Sequence, residues 1–389
     1  MDEKSRIVRL LDLSAPLARK SVFLFGPRQT GKTTYIDRQI TETIAMSLSL
    51  LNNAFFHEVS SRPQRLSERI EGLNLRNALV VIDEIQRFPE LLNEVHALIE
   101  SRNIRFLLTG SSARKLKSAG VNLLGGRALS REMLPLTYWE LEDDFDMDRC
   151  FQRGLLPSHY LSPDVDDDLQ SYVGQYLREE IAAEGLVRNL SHFSQFLEMA
   201  ALCNTKQINF SSLASDVGIS RVTVQSYFQI IVDTLIGEFL EPFQKKKRRK
   251  TVASPKFFFF DLGVVRFLRR LHLIQEGTNE FGEFFEHLIY HHLRSYISYK
   301  NRQSVLSFWR TTQGEEVDFI LNDHVAIECK ATSSPSAKHL KGLQALASEH
   351  SMKHLFLVCR VPEPLKMGDI EVLPYRLFFD RLLAGEFSD

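Results

Sequence analysis

Residues 26–33, GPRQTGKT, contain the residue types that a phosphate-binding loop needs. Gly26 and Gly31 allow the backbone to curl, so that its N–H groups point at the phosphates. Lys32 is predicted to reach the β and γ phosphates of a nucleoside triphosphate, and the Thr33 hydroxyl is predicted to bind Mg²⁺. A short apolar strand, SVFLF, precedes the loop, and a helix is expected to begin near Lys32. This strand–loop–helix context distinguishes the stretch from a chance glycine-rich turn.

A second apolar strand, ALVVIDE, ends in two acids. Asp83 is placed to hold Mg²⁺ through water, and Glu84 is placed to polarise an attacking water. The third strand, RFLLTGSS, brings Thr109 to the carboxyl end of the sheet, where it would sense the γ phosphate. Helix capping is the alternative role for these acids and for the serines after Thr109. For the acids, the nearby phosphate loop favours the catalytic interpretation.

Arg127 follows two glycines in LLGGRALSREMLPLTYWEL. One interpretation is an arginine finger that completes the site of a neighbouring copy, which would require a homo-oligomer. The other is a simple ion pair with a surface acid. The sequence favours neither.

Four stretches of this region, GPRQTGKTT, VVIDEIQRFPELL, LLTGSS and LPLTYWEL, resemble a family of bacterial and archaeal AAA-type ATPases that carry a C-terminal domain of unknown function. The resemblance implies ATP and Mg²⁺ as cofactors, with Glu84 as the catalytic acid and Thr109 as a sensor. It implies that ATP is bound by Gly26, Pro27, Arg28, Gln29, Thr30, Gly31, Lys32, Thr33 and Thr34, with magnesium near Thr33 and Asp83. No separate helical lid follows residue 140, which argues against the behaviour of a strong ring motor.

The middle of the chain contains INFSSLASDVGISRVTVQSYFQIIVDTLIGEFLEPF, which is typical of a helix–turn–helix. Gly218 would form the turn and Ser220 would cap the second helix, in which Val222 is spaced for packing. The strands FLEPF and KFFFF would form a wing, with the basic run KKKRRKT, beginning at Lys245, at its tip. In a DNA-binding protein the major groove would be contacted by Ser220, Arg221, Thr223, Gln225 and Ser226. DNA contact is as plausible here as a solvated hairpin or a docking surface between domains.

Near the C-terminus, EVDFILNDHVAIECK reads as two strands with Asp318 on the first, while Glu328 and Lys330 share one face of the second. With the preceding helix that contains Glu286, this region resembles PD-(D/E)xK nucleases. The resemblance implies that the carboxylates bind Mg²⁺ and that Lys330 stabilises charge on a phosphate. The alternative is that these are ordinary charges of edge strands. The three histidines on the helix are expected to pack rather than to bind metal.

The expected fold class is α/β: a P-loop parallel-sheet ATPase domain at 1–145, a helical and winged-helix domain at 146–272, and a nuclease-like α/β domain at 273–389. A formal net charge of -1 means that any DNA-binding surface must be local. The four scattered cysteines indicate a reducing cytoplasm. The chain contains no apolar run near the roughly 20 residues of a membrane span, so no membrane association is expected.

Three functions fit this pattern. The first is Mg²⁺-dependent ATP binding and hydrolysis coupled to recognition of DNA or of a partner. The second is an ATP-gated, metal-dependent DNA nuclease. The third is a slow nucleotide-dependent binding switch that retains an inactive nuclease fold.

Overall fold

A computed structural model describes residues 7–40, 43–112, 114, 124–177, 190–243, 254–300 and 303–387. The described residues fall into two compact units. The first unit is Met1–Leu136 with Asp233–Ile236, and the second unit is Thr137–Val232 with Gly237–Asp389. None of the described helices is long and apolar enough to cross a membrane.

The first unit is built on a five-stranded parallel sheet. Its strands lie in the order β2-β3-β4-β1-β5. The strands are β1 Ser21–Phe25, β2 Ile44–Ser49, β3 Leu79–Asp83, β4 Arg105–Gly110 and β5 Ala128–Glu132, and the helices are α1 Ser14–Arg19, α2 Lys32–Gln39, α3 Asn53–Ser61, α4 Arg65–Gly72 and α5 Leu92–Arg102. All five residues of β1 are buried, as expected of a central parallel strand whose two faces are both covered. Because β3, β4 and β1 are neighbours, their carboxyl ends meet at one edge of the sheet.

The middle of the second unit is helical. Its helices are α6 Tyr138–Leu141, α7 Met147–Arg153, α8 Pro157–Tyr160, α9 Val165–Leu169, α10 Leu190–Leu202, α11 Phe210–Val217, α12 Arg221–Asp233 and α13 Leu262–Leu268. A π-helical segment, Gln170–Leu177, follows α9. The short strands β6 Gly237–Leu240 and β7 Lys256–Phe259 form an antiparallel hairpin. The basic run that begins at Lys245, predicted as the tip of a wing, lies outside the described residues.

The C-terminal part of the second unit contains a mixed six-stranded sheet. Its strands lie in the order β12-β13-β11-β10-β9-β8. They are β8 Leu306–Arg310, β9 Glu316–Leu321, β10 Val325–Cys329, β11 His354–Cys359, β12 Leu365–Met367 and β13 Ile370–Pro374, and the helices are α14 Asn279–Tyr299, α15 Lys341–Ala347 and α16 Tyr375–Leu383. Strands β8 to β10 form an antiparallel meander, and β11 pairs in parallel with β10. The α/β fold class, with its parallel sheet, helical middle and C-terminal sheet, is therefore confirmed.

Candidate functional site

The loop from β1 to α2 has the backbone that its glycines predict. A Cβ on Gly26 would lie 2.4 Å from the carbonyl oxygen of Met133, so a larger residue would not fit without a backbone shift. Gly31 has φ 90° and ψ 21° and immediately precedes α2. Thr30 is buried and its hydroxyl donates to the carbonyl of Pro27 at 2.8 Å, which fixes the turn between the two glycines.

Lys32 is the first residue of α2 and is 7% exposed. Its ammonium donates to the carbonyl oxygens of Gly26 and Pro27, at 2.6 and 3.0 Å. The side chain thus folds back over its own loop, where a phosphate held by the loop would meet it. Thr33 and Thr34, on the same first turn of the helix, are exposed and offer their hydroxyls to solvent.

The two acids after β3 lie beside Thr109 at the carboxyl end of β4. The Thr109 hydroxyl donates to a carboxylate oxygen of Asp83 and accepts from the backbone N–H of Glu84 at 3.2 Å. The hydroxyl of Ser49 donates to the other Asp83 oxygen at 3.3 Å. Three adjacent strands therefore supply one hydrogen-bonded set of polar groups at the edge where the phosphate loop begins.

Glu84 is held in an unusual conformation for a residue with a side chain. Its φ is 60°, in the left-handed region, and the residue is 7% exposed. The amide nitrogen of Gln86 donates both to the Glu84 carboxylate and to the hydroxyl of Ser111, the latter at 3.0 Å. Burial raises the pKa of Glu84, and the charge of Lys32 partly opposes that shift. Gln86, which the sequence analysis did not assign to the site, therefore orients the predicted catalytic acid.

The guanidinium of Arg127 is paired with the carboxylate of Glu100 on the surface of the first unit. The hydrogen bond and charge of Arg127 lower the pKa of Glu100. The geometry in the described chain is thus that of the ion-pair alternative, and a role as an arginine finger stays a prediction.

A second group of charged residues lies in the second unit. Glu286 on α14, Asp318 on β9 and Glu328 on β10 line one cavity of about 340 Å³ together with Lys330. The Lys330 ammonium lies 2.6 Å from a Glu328 oxygen and 3.6 Å from an Asp318 oxygen. The backbone N–H of Cys329, on β10, donates to a carboxylate oxygen of Asp318 at 2.8 Å. The residues that the nuclease resemblance implies therefore converge.

Two further residues, Glu316 and Lys256, belong to this group and are not predicted from the sequence. Glu316 lies two residues before Asp318 on β9, so the alternation of a strand puts both on one face, and this signal could have identified it. Lys256, the first residue of β7, has a side chain that is only 3% exposed. Its ammonium lies 2.8 Å from Glu286, 2.6 Å from Glu316 and 3.6 Å from Asp318. No local pattern predicts Lys256, because it is brought to the acids by the hairpin.

The protonation of this group reflects its burial. Burial raises the pKa of Glu286 to about 7 and that of Glu328 to about 8. Burial also acts to raise the pKa of Asp318, but Lys330 and Lys256 together bring it below its ordinary value. Within the described residues, no group of three His, Cys, Asp or Glu side chains has the geometry to hold a metal ion.

The histidines of α14 pack inside the second unit, as expected. The Nε2–H of His287 donates to the carbonyl of Phe259 at 2.8 Å, and its Nδ1 accepts from the side-chain amide nitrogen of Asn204 at 3.1 Å. The His292 ring stacks on Phe379 with centroids 4.0 Å apart. His291 is also buried.

The helix–turn–helix segment has the predicted turn and cap. Gly218 has φ 73°, and the Ser220 hydroxyl accepts from the backbone N–H of Thr223 at 3.1 Å. The expectation that Val222 packs is wrong, because this side chain is 73% exposed. It lies next to Arg221 at the start of α12, on the surface that a helix–turn–helix would present to a partner.

A comparison with known protein families supports the fold described for the first unit. Residues 18–142 match the family model of the AAA domain, so the fold and the match together define an AAA-type P-loop ATPase domain. Two domains of unknown function follow it: residues 144–274 match DUF8612 and residues 281–378 match DUF4143. The predicted division at residues 145 and 272 stays a prediction.

Two curated relatives are themselves uncharacterized proteins. They are Rv2008c of Mycobacterium tuberculosis and Mb2031c of Mycobacterium bovis, each 26% identical over 325 residues that cover 81% of this chain and 71% of the relative. Among solved structures, Aeropyrum pernix ORC1 in complex with DNA is 12% identical with a TM-score of 0.26, covering 70% of this chain and 96% of that one. PCH-2 of C. elegans is 13% identical with a TM-score of 0.25, covering 58% and 64%. At such TM-scores, these likenesses say nothing about what this chain binds.

Proposed function

We propose that the first unit binds ATP with Mg²⁺ and hydrolyses it. The observation that supports this proposal best is the set formed by Asp83, Glu84 and Thr109 at the carboxyl edge of the sheet, beside the loop that carries Lys32. In open α/β sheets, ligands bind at that edge. The residues fit the pair ATP and Mg²⁺, because only a glycine fits at position 26 and the exposed Thr33 hydroxyl lies on the first turn of α2.

The proposed roles follow from these positions. The backbone N–H groups of Gly26 to Thr34 bind the phosphates, and Lys32 neutralises the β and γ phosphates. Thr33 and Asp83 would hold the magnesium ion, which supplies positive charge to the transferring phosphoryl group when it is bound. Glu84 orients the attacking water and accepts its proton, and its raised pKa makes it a better base than an exposed glutamate. Gln86 keeps the Glu84 carboxylate in place.

The second unit is proposed to recognise DNA or a protein partner under the control of this ATPase. The observation behind this part is the exposed start of α12, where Arg221 and Val222 lie beside a capped helix N-terminus. An arginine can bind phosphates or guanine, and an exposed valine can contact a thymine methyl group. Neutralising the basic run at 245–249 should weaken DNA binding and lower its salt dependence by about one unit of slope for each lost phosphate contact. An unchanged slope would assign the run to a role other than DNA contact.

The second candidate function is cleavage of DNA by the second unit. It is supported by the convergence of Glu286, Asp318, Glu328 and Lys330 in one cavity. It is opposed by Lys256, whose ammonium lies among the carboxylates. A nuclease fold that recognises nucleic acid without cutting it, as in the binding-switch hypothesis, fits both observations.

One experiment separates these functions. ATP turnover is measured with and without DNA, and the DNA from the same tube is examined for cleavage products. Turnover that DNA stimulates, with intact DNA, supports an ATPase coupled to recognition. Cleavage that requires ATP supports the nuclease, and very slow turnover with nucleotide-dependent complex formation supports the switch. Absence of turnover under all of these conditions would overturn the proposed ATPase.

A further inference from the structure

The acidic cluster of the second unit, defined here as Glu286, Glu316, Asp318 and Glu328, already contains a cation. The four cluster carboxylates line one cavity together with Glu283, Lys206 and Arg310. Two further lining residues, Lys256 and Lys330, place their ammonium groups against the cluster carboxylates. The two lysines differ in position. Lys330 is at the rim with a side chain that is 37% exposed, whereas Lys256 lies inside with a side chain that is 3% exposed.

Lys256 occupies a position enclosed by oxygen ligands. Carboxylate oxygens of three acids from two elements, α14 and β9, lie between 2.6 and 3.6 Å from its nitrogen. Carboxylate oxygens around one point also attract a hard divalent cation. With Lys256 in place, the acids among the described residues do not have the geometry of a metal site. An ammonium ion and a divalent cation therefore compete for the same oxygens.

One oxygen of the cluster has no partner among the described residues. Glu328 is 7% exposed and lines the cavity, yet its second carboxylate oxygen, Oε2, makes no hydrogen bond. A buried carboxylate oxygen without a partner carries a desolvation cost that a ligand in the cavity would relieve. Glu328 is thus available as a further ligand once the cluster is rearranged.

We propose that Lys256 is an internal counter-cation that closes the acidic cluster to divalent cations, so that the Lys256 ammonium and a bound divalent cation exclude each other. The hairpin strand β7 carries the lysine, while the cluster lies on α14, β9 and β10. The inference rests on the candidate site of the second unit and is independent of the ATPase.

The test measures binding of Mn²⁺ to the full chain without nucleotide. Electron paramagnetic resonance gives the concentration of free Mn²⁺ at each point of the titration. Lys256→Met keeps a long side chain and removes its charge, and it should bind one Mn²⁺ at least about tenfold more tightly than the wild-type chain. Adding Asp318→Asn to Lys256→Met should abolish this gain. Lys256→Arg, which keeps the charge, should bind Mn²⁺ as weakly as the wild type.

The matched control is Arg310→Met. The Arg310 guanidinium pairs with Glu316 at 2.9 Å but lies at the rim with a side chain that is 39% exposed. Its loss changes the net charge by the same amount without opening the interior, and we expect an increase in Mn²⁺ affinity below about threefold. An equal gain in Arg310→Met and Lys256→Met would overturn the proposal, because the effect would then be general electrostatics.

A second measurement uses chains that keep Lys256. If the lysine and the cation exclude each other, Asp318→Asn alone should leave the Mn²⁺ affinity of the nucleotide-free protein unchanged. A wild-type chain that binds Mn²⁺ tightly and loses it in Asp318→Asn would overturn the proposal, whether or not Lys256→Met folds. ATP turnover of the same preparations reports the first unit separately, so failure of the proposed ATPase would be visible as its own result.

Discussion

The two units each bury a lysine at a candidate site, but in opposite electrostatic surroundings. The Lys32 ammonium donates to the backbone carbonyls of Gly26 and Pro27, which are neutral acceptors. The Lys256 ammonium lies against three carboxylates. The charge of Lys32 also acts on the buried Glu84, where it opposes the rise of the Glu84 pKa that burial causes. In the second unit, the protein's own acids already neutralise the charge.

In our proposals, Lys32 binds the phosphates of a ligand, whereas Lys256 takes the position that a bound cation would occupy. A buried cation costs several kcal/mol of desolvation unless it is paired. In the first unit, two backbone carbonyls solvate the Lys32 ammonium, and in the proposed ATP complex the phosphates would add anionic partners. In the second unit, the pairing is complete within the fold, which makes Lys256 part of the stability of its unit.

The largest expected effect concerns Lys32 and its proposed binding of phosphate. Lys32→Ala should abolish measurable ATP hydrolysis and greatly weaken ATP binding, because the variant removes the charge that neutralises the β and γ phosphates. The control is Lys20→Ala in the same unit, which removes an exposed lysine that bonds to the carbonyl of Gly126 at 2.8 Å. Activity near the wild-type value in Lys32→Ala, measured by phosphate release, would remove the claim that this lysine serves a phosphate.

Glu84→Gln should leave ATP binding intact and lower hydrolysis by roughly two to four orders of magnitude, because it preserves shape and removes the base. Binding is measured with a fluorescent ATP analogue and turnover by phosphate release. Gln86→Ala is the companion variant, since Gln86 orients the Glu84 carboxylate, and it should lower turnover less while leaving binding unchanged. If Glu84→Gln loses binding instead, Glu84 has a structural role that its left-handed backbone would explain.

Much of this geometry could be predicted from the sequence because it is local. The strand–loop–helix order, the glycines at 26 and 31, and the acids after a buried strand are all set by neighbours in the chain. The element order of the C-terminal region was likewise predictable, and so was the convergence of Asp318 with Glu328 and Lys330. These residues lie on adjacent strands of one meander.

The rest depends on contacts between distant segments. Lys256 reaches Glu286 and Asp318 across 30 and 62 positions of the chain, and the apolar run in which it stands, PKFFFF, predicts only a buried strand. The helical spacing of Val222 predicts that it packs, but its side chain is 73% exposed among the described residues. Periodicity indicates which side chains can be buried together and does not determine which partner covers them.

The stability of the second unit tests the other half of the comparison. Lys256→Met should destabilise this unit by roughly 3–5 kcal/mol, because it leaves buried carboxylates without their counter-charge. Lys32→Met, the matched substitution in the first unit, should cost less, roughly 1–3 kcal/mol, because two backbone carbonyls lose a donor and Glu84 loses an opposing charge. Both tryptophans, Trp139 and Trp309, belong to the second unit, so their fluorescence during urea unfolding reports that unit alone.

Equal losses of unfolding free energy in Lys32→Met and Lys256→Met would contradict the difference that we infer between the two lysines. Each variant therefore needs a second signal from the first unit, such as the urea concentration at which that unit becomes open to proteolysis without nucleotide. Because Lys256→Met is expected to bind Mn²⁺ more tightly, Mn²⁺ should raise the urea midpoint of this variant more than that of the wild type.

The smallest expected effect is a pH dependence that belongs to the acidic cluster and not to the phosphate loop. Burial raises the pKa of Glu328 from 4.5 to about 8, so between these values the folded chain holds a proton that the unfolded chain has released. The contribution of Glu328 to stability is therefore fully present below pH 4.5 and is lost as the pH rises through 8. Glu328→Gln cannot ionise and lacks this dependence. From pH 5 to pH 8.5 the free energy of unfolding of the wild type, followed by tryptophan fluorescence, should fall by roughly 1–3 kcal/mol more than that of Glu328→Gln. Parallel pH profiles for the two chains would mean that Glu328 is ionised throughout this range, with its charge already balanced by Lys330 and Lys256.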